Sequence, residues 1–210
     1  MKRYGAIYAD PPWEERGGGC RGANHHYDLM KTKDIMAMGP AIRDLRMEDA
    51  HLWMWAVNPR MDEAVDVLRA WGAHQVSMLT WSKLGAPGLG QYSRGLTEHL
   101  LLARWGQPPY RESDDPLPDD HPDFLLRRKD GRHQFLTLVE APRGRHSEKP
   151  ECFRQLVEWM SHGPYLELFS RKSAEGWDVW GNEVEVEGSQ FDGLKCLFSK
   201  HEQLVMEDLF

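Results

Sequence analysis

The chain has no apolar run long enough to cross a bilayer, which excludes a helical membrane span. Its start, Met-Lys-Arg-Tyr-Gly, lacks the apolar core of a secretory signal, so a cytoplasmic protein is expected. Cysteine is scarce: Cys20, Cys152 and Cys196 are far apart, odd in number and form no C-x-x-C. That argues against a disulfide framework and a zinc site, and for reduced thiols in a cytoplasm. Positive charge is also short. With 26 Lys and Arg against 33 Asp and Glu, the net charge is −7, unlike a protein that coats nucleic acid. An acidic body can still carry a basic groove, and the charge is segregated. Residues 113–123 are acidic, whereas 127–133 and 143–146 are basic. There is no internal repeat. The glycine-rich 85–90 stretch has the wrong spacing for a dinucleotide fingerprint, and no helix follows it.

What is present is organised around Tyr8-Ala9-Asp10-Pro11-Pro12-Trp13. Residues Tyr4 to Ala9 are apolar and read as a short buried strand. The prolines fix their own φ and push each preceding residue toward extended geometry. Asp10 is therefore held just past a strand end where no helix can begin. The carbonyls of Asp10 and Pro11 cannot join a helical ladder and are expected to be free to accept from a ligand. A carboxylate, a carbonyl and an indole suit a flat heterocycle bearing an amino group. The two acceptors take the two amine hydrogens, and Trp13 stacks on the ring. The plainer reading is a proline-rich turn after an edge strand. At ordinary proline usage this tetrad arises by chance in fewer than about one in a thousand chains of this length.

Length and hydrophobic content fit one domain, or one with an insertion. Residues 14–28 hold Gly17 to Gly19, His25-His26 and Tyr27, and read as a mobile substrate loop. The histidine pair lacks a third ligand at helical or hairpin spacing, so no metal is expected. Thr32 is placed as the cap of a helix over 33–38 that Gly39-Pro40 breaks. Further strands are expected over 50–57, 76–83, 97–105, 135–141 and 165–170. Asn58-Pro59 is read as the cap and first turn of a helix carrying Met61, Ala64, Val65, Leu68 and Trp71. A second helix, capped by Ser147, carries Phe153, Leu156, Val157 and Met160. Residues 106–133 are read as an irregular insertion, and 184–210 as a C-terminal extension of a domain over 1–183. Strands alternating with amphipathic helices predict an α/β protein, with a mostly parallel sheet covered by helices on both faces. Ligands of such sheets bind beyond the carboxyl ends of the strands. Asp10, the 82–94 loop and the loop at Arg171 all follow strand ends.

Asp-Pro-Pro-Trp at a strand tip resembles the motif of adenine-specific amino-methyltransferases, and the chain as a whole resembles the MT-A70-like family. The likeness covers roughly 4–105 and 140–183. It includes Tyr27, Leu52-Trp53, Trp81-Ser82-Lys83, Glu98-His99, Lys149-Pro150, Glu167 to Arg171, and Trp177 with Gly181-Asn182-Glu183. Ser170 and Glu183 depart from the family's glycine and glutamine, and Lys172-Ser173 stand in place of its His-Asn pair. The resemblance implies a Rossmann-like class I methyltransferase fold. It also implies S-adenosylmethionine as methyl donor and an adenine amino group as acceptor. DNA is favoured as substrate, with RNA or a non-catalytic scaffold role as alternatives. By the same resemblance Asp10, Pro11, Pro12 and Trp13 are catalytic. Asp10, Lys149, Phe169, Arg171, Asn182 and Glu183 meet the cofactor. Tyr27, Trp13, Lys83 and Arg94 meet the substrate. A homodimer is expected, because little of the chain is left for a separate target-recognition domain. Glu98 is read as a sheet-end carboxylate that orders Arg94, without a catalytic role.

Overall fold

A computed structural model describes residues 2–14, 29–87, 92–113, 121–144 and 148–181, together with Phe191 and Leu194. Tyr27, Asn182, Glu183, His25, His26 and Ser147 lie outside the described residues. Seven strands form one sheet: β1 (Tyr4–Ala9), β2 (Arg46–Val57), β3 (His74–Leu84), β4 (Thr97–Trp105), β7 (Leu138–Pro142), β8 (Tyr165–Leu168) and β9 (Trp177–Trp180). Their order is β7-β3-β4-β2-β1-β8-β9. Among the described residues the α-helices with defined bounds are α1 (Thr32–Ala37), α2 (Gly39–Leu45), α3 (Met61–Ala70) and α4 (Cys152–Met160).

Both faces of the sheet are covered, so the central strands need apolar side chains at every position. All six residues of β1 are buried. Ile7, Leu52, Met54 and Leu101 pack on one face with Ile35, Ile42, Val67 and Leu68 of α1 to α3. Tyr8, Trp53, Trp55, Leu100 and Leu102 pack on the other with Phe153, Leu156 and Val157 of α4. Buried indoles need acceptors for their N–H groups. Trp53 donates to Ser161 Oγ at 3.0 Å, Trp71 to the Ile35 carbonyl at 2.9 Å and Trp81 to the Ala141 carbonyl at 3.0 Å. Phe191 and Leu194, from the expected C-terminal extension, are buried in the first of these cores.

The mostly parallel sheet is borne out, with one reversal that matters for the site. Strand β4 runs antiparallel to both β2 and β3, while the other pairings are parallel. Its first residues therefore sit on the rim where its neighbours end. Glu98 lies opposite both Val57 and Trp81.

Several local expectations need correction. Gly39-Pro40 does mark the break after α1, but a second helix, not expected from the sequence, begins there at once. Pro40 lies in the first turn of α2, where its missing N–H costs no hydrogen bond. Thr32 does not cap α1; Lys31 holds that position, and the Thr32 hydroxyl donates to Glu63 instead. Asn58 opens a 3-10 turn (Asn58–Arg60), and its side chain bonds Thr97 and His99 rather than the helix end. The 106–133 segment is not wholly irregular: β5 (Leu125–Arg127) pairs antiparallel with β6 (His133–Phe135). The single strand expected over 135–141 is thus divided between this hairpin and β7 of the main sheet. Strand β8 stops at Leu168, because Phe169 turns to φ +63°, a left-handed conformation strained for a bulky residue.

The turn after Phe169 packs tightly against the end of β9. Ser170 donates its N–H to the Trp180 carbonyl at 3.0 Å. A Cβ at Gly181 would lie 2.1 Å from the Ser170 carbonyl oxygen. Gly181→Ala is therefore expected to force the two backbones apart and to lower stability by about 1–3 kcal/mol. Urea unfolding checks this; an unchanged midpoint would mean that the rim opens freely there.

Candidate active site

Asp10 follows β1 directly, as the tetrad predicts, and its N–H donates to the Leu168 carbonyl at 3.4 Å. Its Oδ2 accepts from Lys149 Nζ at 2.6 Å. Lys149 also approaches Glu98 Oε2, at 3.4 Å, and the other oxygen of Glu98 accepts from Lys83 Nζ. The result is one line of alternating charge, Asp10, Lys149, Glu98, Lys83, from residues on four separate segments. Lys149 lies over the Trp55 ring at 5.2 Å and Lys83 over Trp81 at 4.9 Å. The Asp10 side chain is 30% exposed, against 11% for Lys149 and 16% for Glu98, so the line opens to solvent at Asp10. Among the described residues, Oδ1 of Asp10 has no hydrogen-bond partner.

The line explains the acidities. Glu98 has two ammonium neighbours, Lys149 and Lys83, which outweigh its burial and hold its carboxyl low. Lys149 lies between two carboxylates, which outweigh its own burial and hold its ammonium form above the ordinary lysine value. Burial pushes the Asp10 carboxyl above the usual range. Lys149 opposes the shift without cancelling it, because it is shared with Glu98, which repels a second negative charge. Burial also pushes the Cys152 thiol up to about 11, which makes it a poor nucleophile at neutral pH.

The remainder of the tetrad is more enclosed than the sequence implies. The Pro11 carbonyl is not free; it accepts the Trp13 N–H at 2.8 Å, which leaves one lone pair. The Pro12 carbonyl accepts from the Met30 N–H at 2.8 Å, and Trp13 forms an isolated bridge with Met30. Trp13 is buried in the core, and its indole N–H donates to the Trp55 carbonyl at 3.2 Å. A large aromatic just past a strand end gains more by packing than by standing in water.

Of the other expected site residues, Phe169 sits at the left-handed turn after β8, edge-on to Trp180 at 5.7 Å. Arg171 is exposed and close enough for its charge to act on Asp10. Lys83 belongs to the charge line. Arg94 is exposed and donates to the Pro87 carbonyl at 3.1 Å. Glu98, expected to order Arg94, is instead held by Lys83 and Lys149, because reversed β4 sets it between the ends of β2 and β3. Sequence reasoning missed this carboxylate as a member of the site. The signal was present in Glu98-His99 opening a strand, but it needs the strand's direction to be used.

The chain as a whole has counterparts among known proteins. The model of the MT-A70 family matches residues 4–183. The chain belongs to the MT-A70 family. It is 26% identical over 204 residues to the Type II methyltransferase M.MunI of a Mycoplasma species, which covers 87% of this chain and 78% of that protein. It is 26% identical to the human N(6)-adenine-specific methyltransferase METTL4 over 87% of this chain but 38% of that protein. It is 27% identical to the N6-methyladenosine RNA methyltransferase MTA1 of Cryphonectria parasitica, over 86% of this chain and 52% of that protein. Against the last two, the chain spans about half of the relative or less. MT-A70 methyltransferases depend on S-adenosylmethionine.

The MT-A70 site fits that donor chemically. S-adenosylmethionine carries a sulfonium, an ammonium and a carboxylate, and the rim offers groups of both signs. Asp10 presents an uncommitted carboxylate oxygen, while Lys149 and Arg171 are cations beside it. The close seat of Gly181 on Ser170 keeps the end of β9 tight against the turn that carries Phe169 and Arg171.

Proposed function

We propose that this MT-A70 protein transfers a methyl group from S-adenosylmethionine to the exocyclic amino group of adenine in DNA, giving N6-methyladenine. The observation that carries the reading is Asp10: a carboxylate at the tip of β1, fixed through one oxygen by Lys149, with the other open on the rim. The cofactor supplies the methyl group on an electrophilic sulfonium.

The chain's own residues handle the amine. An adenine amino nitrogen is a poor nucleophile, because its lone pair is delocalised into the ring. Asp10 Oδ1 and the remaining lone pair of the Pro11 carbonyl accept its two hydrogens and favour a pyramidal nitrogen. Trp13 borders the base. Positioning and local electrostatics do most of the work. Asp10 is too weak a base to deprotonate the neutral amine. The proton leaves after transfer, when the nitrogen is cationic, and the raised pKa of Asp10 suits it to receive that proton. Lys149, Phe169 and Arg171, with Asn182 and Glu183, form the cofactor side. Tyr27, Trp13, Lys83 and Arg94 face the substrate. A base within a duplex is flipped out at a cost of a few kcal/mol. A second copy of the chain supplies further contacts to the DNA.

DNA is favoured because the Type II methyltransferase M.MunI is matched over most of its own length. RNA is the second reading, and the match to the RNA methyltransferase MTA1 favours it. Incubation with labelled S-adenosylmethionine and either plasmid DNA or structured RNA separates them. Label in DNA supports the proposal, label in RNA alone selects the second reading, and label in neither leaves a scaffold. Light scattering at working concentration tests the dimer; a monomer counts against it.

The charge line also sets a pH profile. Transfer needs Asp10 ionised, so the rate rises with pH through the acidity constant of Asp10. Burial moves that inflection above the ordinary value of about 3.9. Lys149 is held above its ordinary value of about 10.4, so no loss is expected across neutral pH. A pH profile of kcat/KM checks both limbs. An acid inflection at or below the ordinary aspartate value would contradict the assignment.

A further inference from the structure

A second buried charge pair lies apart from the line at Asp10, and its contacts converge on the chain that leaves the tetrad. Arg60 is 8% exposed and stands at the end of the turn between β2 and α3. Its Nη1 donates to Glu63 Oε1, and its Nη2 donates to the Glu14 carbonyl, 46 residues away. The other carboxylate oxygen of Glu63 accepts from the Thr32 hydroxyl. One guanidinium–carboxylate fork thus joins the residue after Trp13 to the first residue of α1. Met30 joins the same two stretches through the backbone. Its N–H donates to the Pro12 carbonyl at 2.8 Å, and its carbonyl accepts from the Glu14 N–H at 3.3 Å.

We propose that Arg60 and Glu63 are positioning residues: a clamp that fixes the Trp13–Glu14 stretch against Met30 and Thr32, and so sets where the tetrad meets its substrate. The consequence for catalysis rests on the proposal above that Trp13 borders the base.

Stability alone does not require this arrangement. A buried ion pair is often replaceable by apolar residues of similar volume without loss of stability. An i,i+3 pair within one helix end would be satisfied without leaving α3. What the pair adds is reach. Glu14 lies one residue past the Trp13–Met30 bridge, where its carbonyl has no sheet partner among the described residues, and a planar fork can bond that carbonyl and a carboxylate together. A lysine must reach both acceptors from one nitrogen, because its ammonium lacks the spaced, planar fork. Trp13 is already tied at its indole N–H and its backbone N–H. The clamp secures the next residue, which removes the remaining freedom of the segment. Asp10 Oδ2, Lys149 and Glu98 are joined among themselves, on other segments of the chain.

The test uses Arg60→Lys, Arg60→Met and the milder Thr32→Val, which removes only one arm. Hydrogen exchange is read on peptides covering 11–14 and 29–33, with those covering β1, β8 and α4 as reference. Both Arg60 variants are expected to exchange faster in the first set only. With DNA and S-adenosylmethionine, kcat/KM for DNA falls roughly tenfold to a hundredfold. Affinity for the cofactor, by calorimetry, stays within about twofold, and Thr32→Val falls between these variants and the wild type. Unchanged exchange at 11–14 in Arg60→Lys and Thr32→Val overturns the clamp. Faster exchange with an unchanged kcat/KM overturns its positioning role. Parallel loss of cofactor affinity and of protection across the whole sheet reduces the pair to a structural one. If the wild type methylates neither DNA nor RNA, the functional reading fails separately, and exchange still decides whether the clamp exists.

Discussion

Asp10→Ala is expected to abolish methyl transfer while the protein still folds and still binds S-adenosylmethionine. The loss should reach about a thousandfold or more, the range seen when a preorganised polar contact to the reacting group is removed. The fold should hold because Asp10 lies past the end of β1 and, among the described residues, contributes one backbone bond to the rim. Lys149 keeps Glu98 as a partner at 3.4 Å. Burial already disfavours the ionised form of Asp10, so its removal costs little stability. Asp10→Asn should be nearly as inactive. If its carbonyl oxygen turns to Lys149, its amide N–H groups face the amine that must donate. If the amide turns the other way, it opposes the ammonium. Turnover near the wild-type rate in Asp10→Ala, measured with saturating cofactor, would remove Asp10 from the chemistry.

Lys149→Met is expected to damage the site in two ways. Lys149 is nearly enclosed between Asp10 and Glu98, and it is the only cation in hydrogen-bond contact with Asp10 among the described residues. Glu98 retains Lys83 and stays ionised. Asp10 loses the charge that opposes its burial, so its pKa rises further and the acid limb of the pH profile moves toward neutrality. Loss of a charged hydrogen bond costs about 1.5–3 kcal/mol, so cofactor affinity should also fall tenfold or more. The two effects separate experimentally. Calorimetry reads the affinity, and kcat against pH at saturating cofactor reads the limb. An unchanged affinity would place Lys149 outside the cofactor site. An unmoved acid limb would show that it does not set the state of Asp10.

These two residues also mark how far the sequence reaches. Asp-Pro-Pro-Trp is legible because its constraints are local: proline sets its own torsion and that of its predecessor, whatever surrounds it. The strands over 50–57 and 97–105 and the helix carrying Met61 to Leu68 are legible for the same reason. Their apolar spacing repeats within a few residues. Gly39-Pro40 is legible as the end of α1 but not as the start of α2, because one proline can end a helix or begin one, and the second depends on the packing of Ile42 and Leu45 into the core.

By itself the sequence determined a largely parallel α/β sheet, an aspartate locked at the tip of its first strand and membership of a methyl-transferring family. Only the tertiary structure decided that β4 runs backwards, and with it that Glu98 reaches the rim at all. It alone brought Lys149 to Asp10 across 139 residues of chain, and Arg60 to Glu14 across 46. The physical reason is range. Torsional preference and apolar periodicity act between neighbours along the chain, whereas the pairing of buried charges depends on which segments the core brings together.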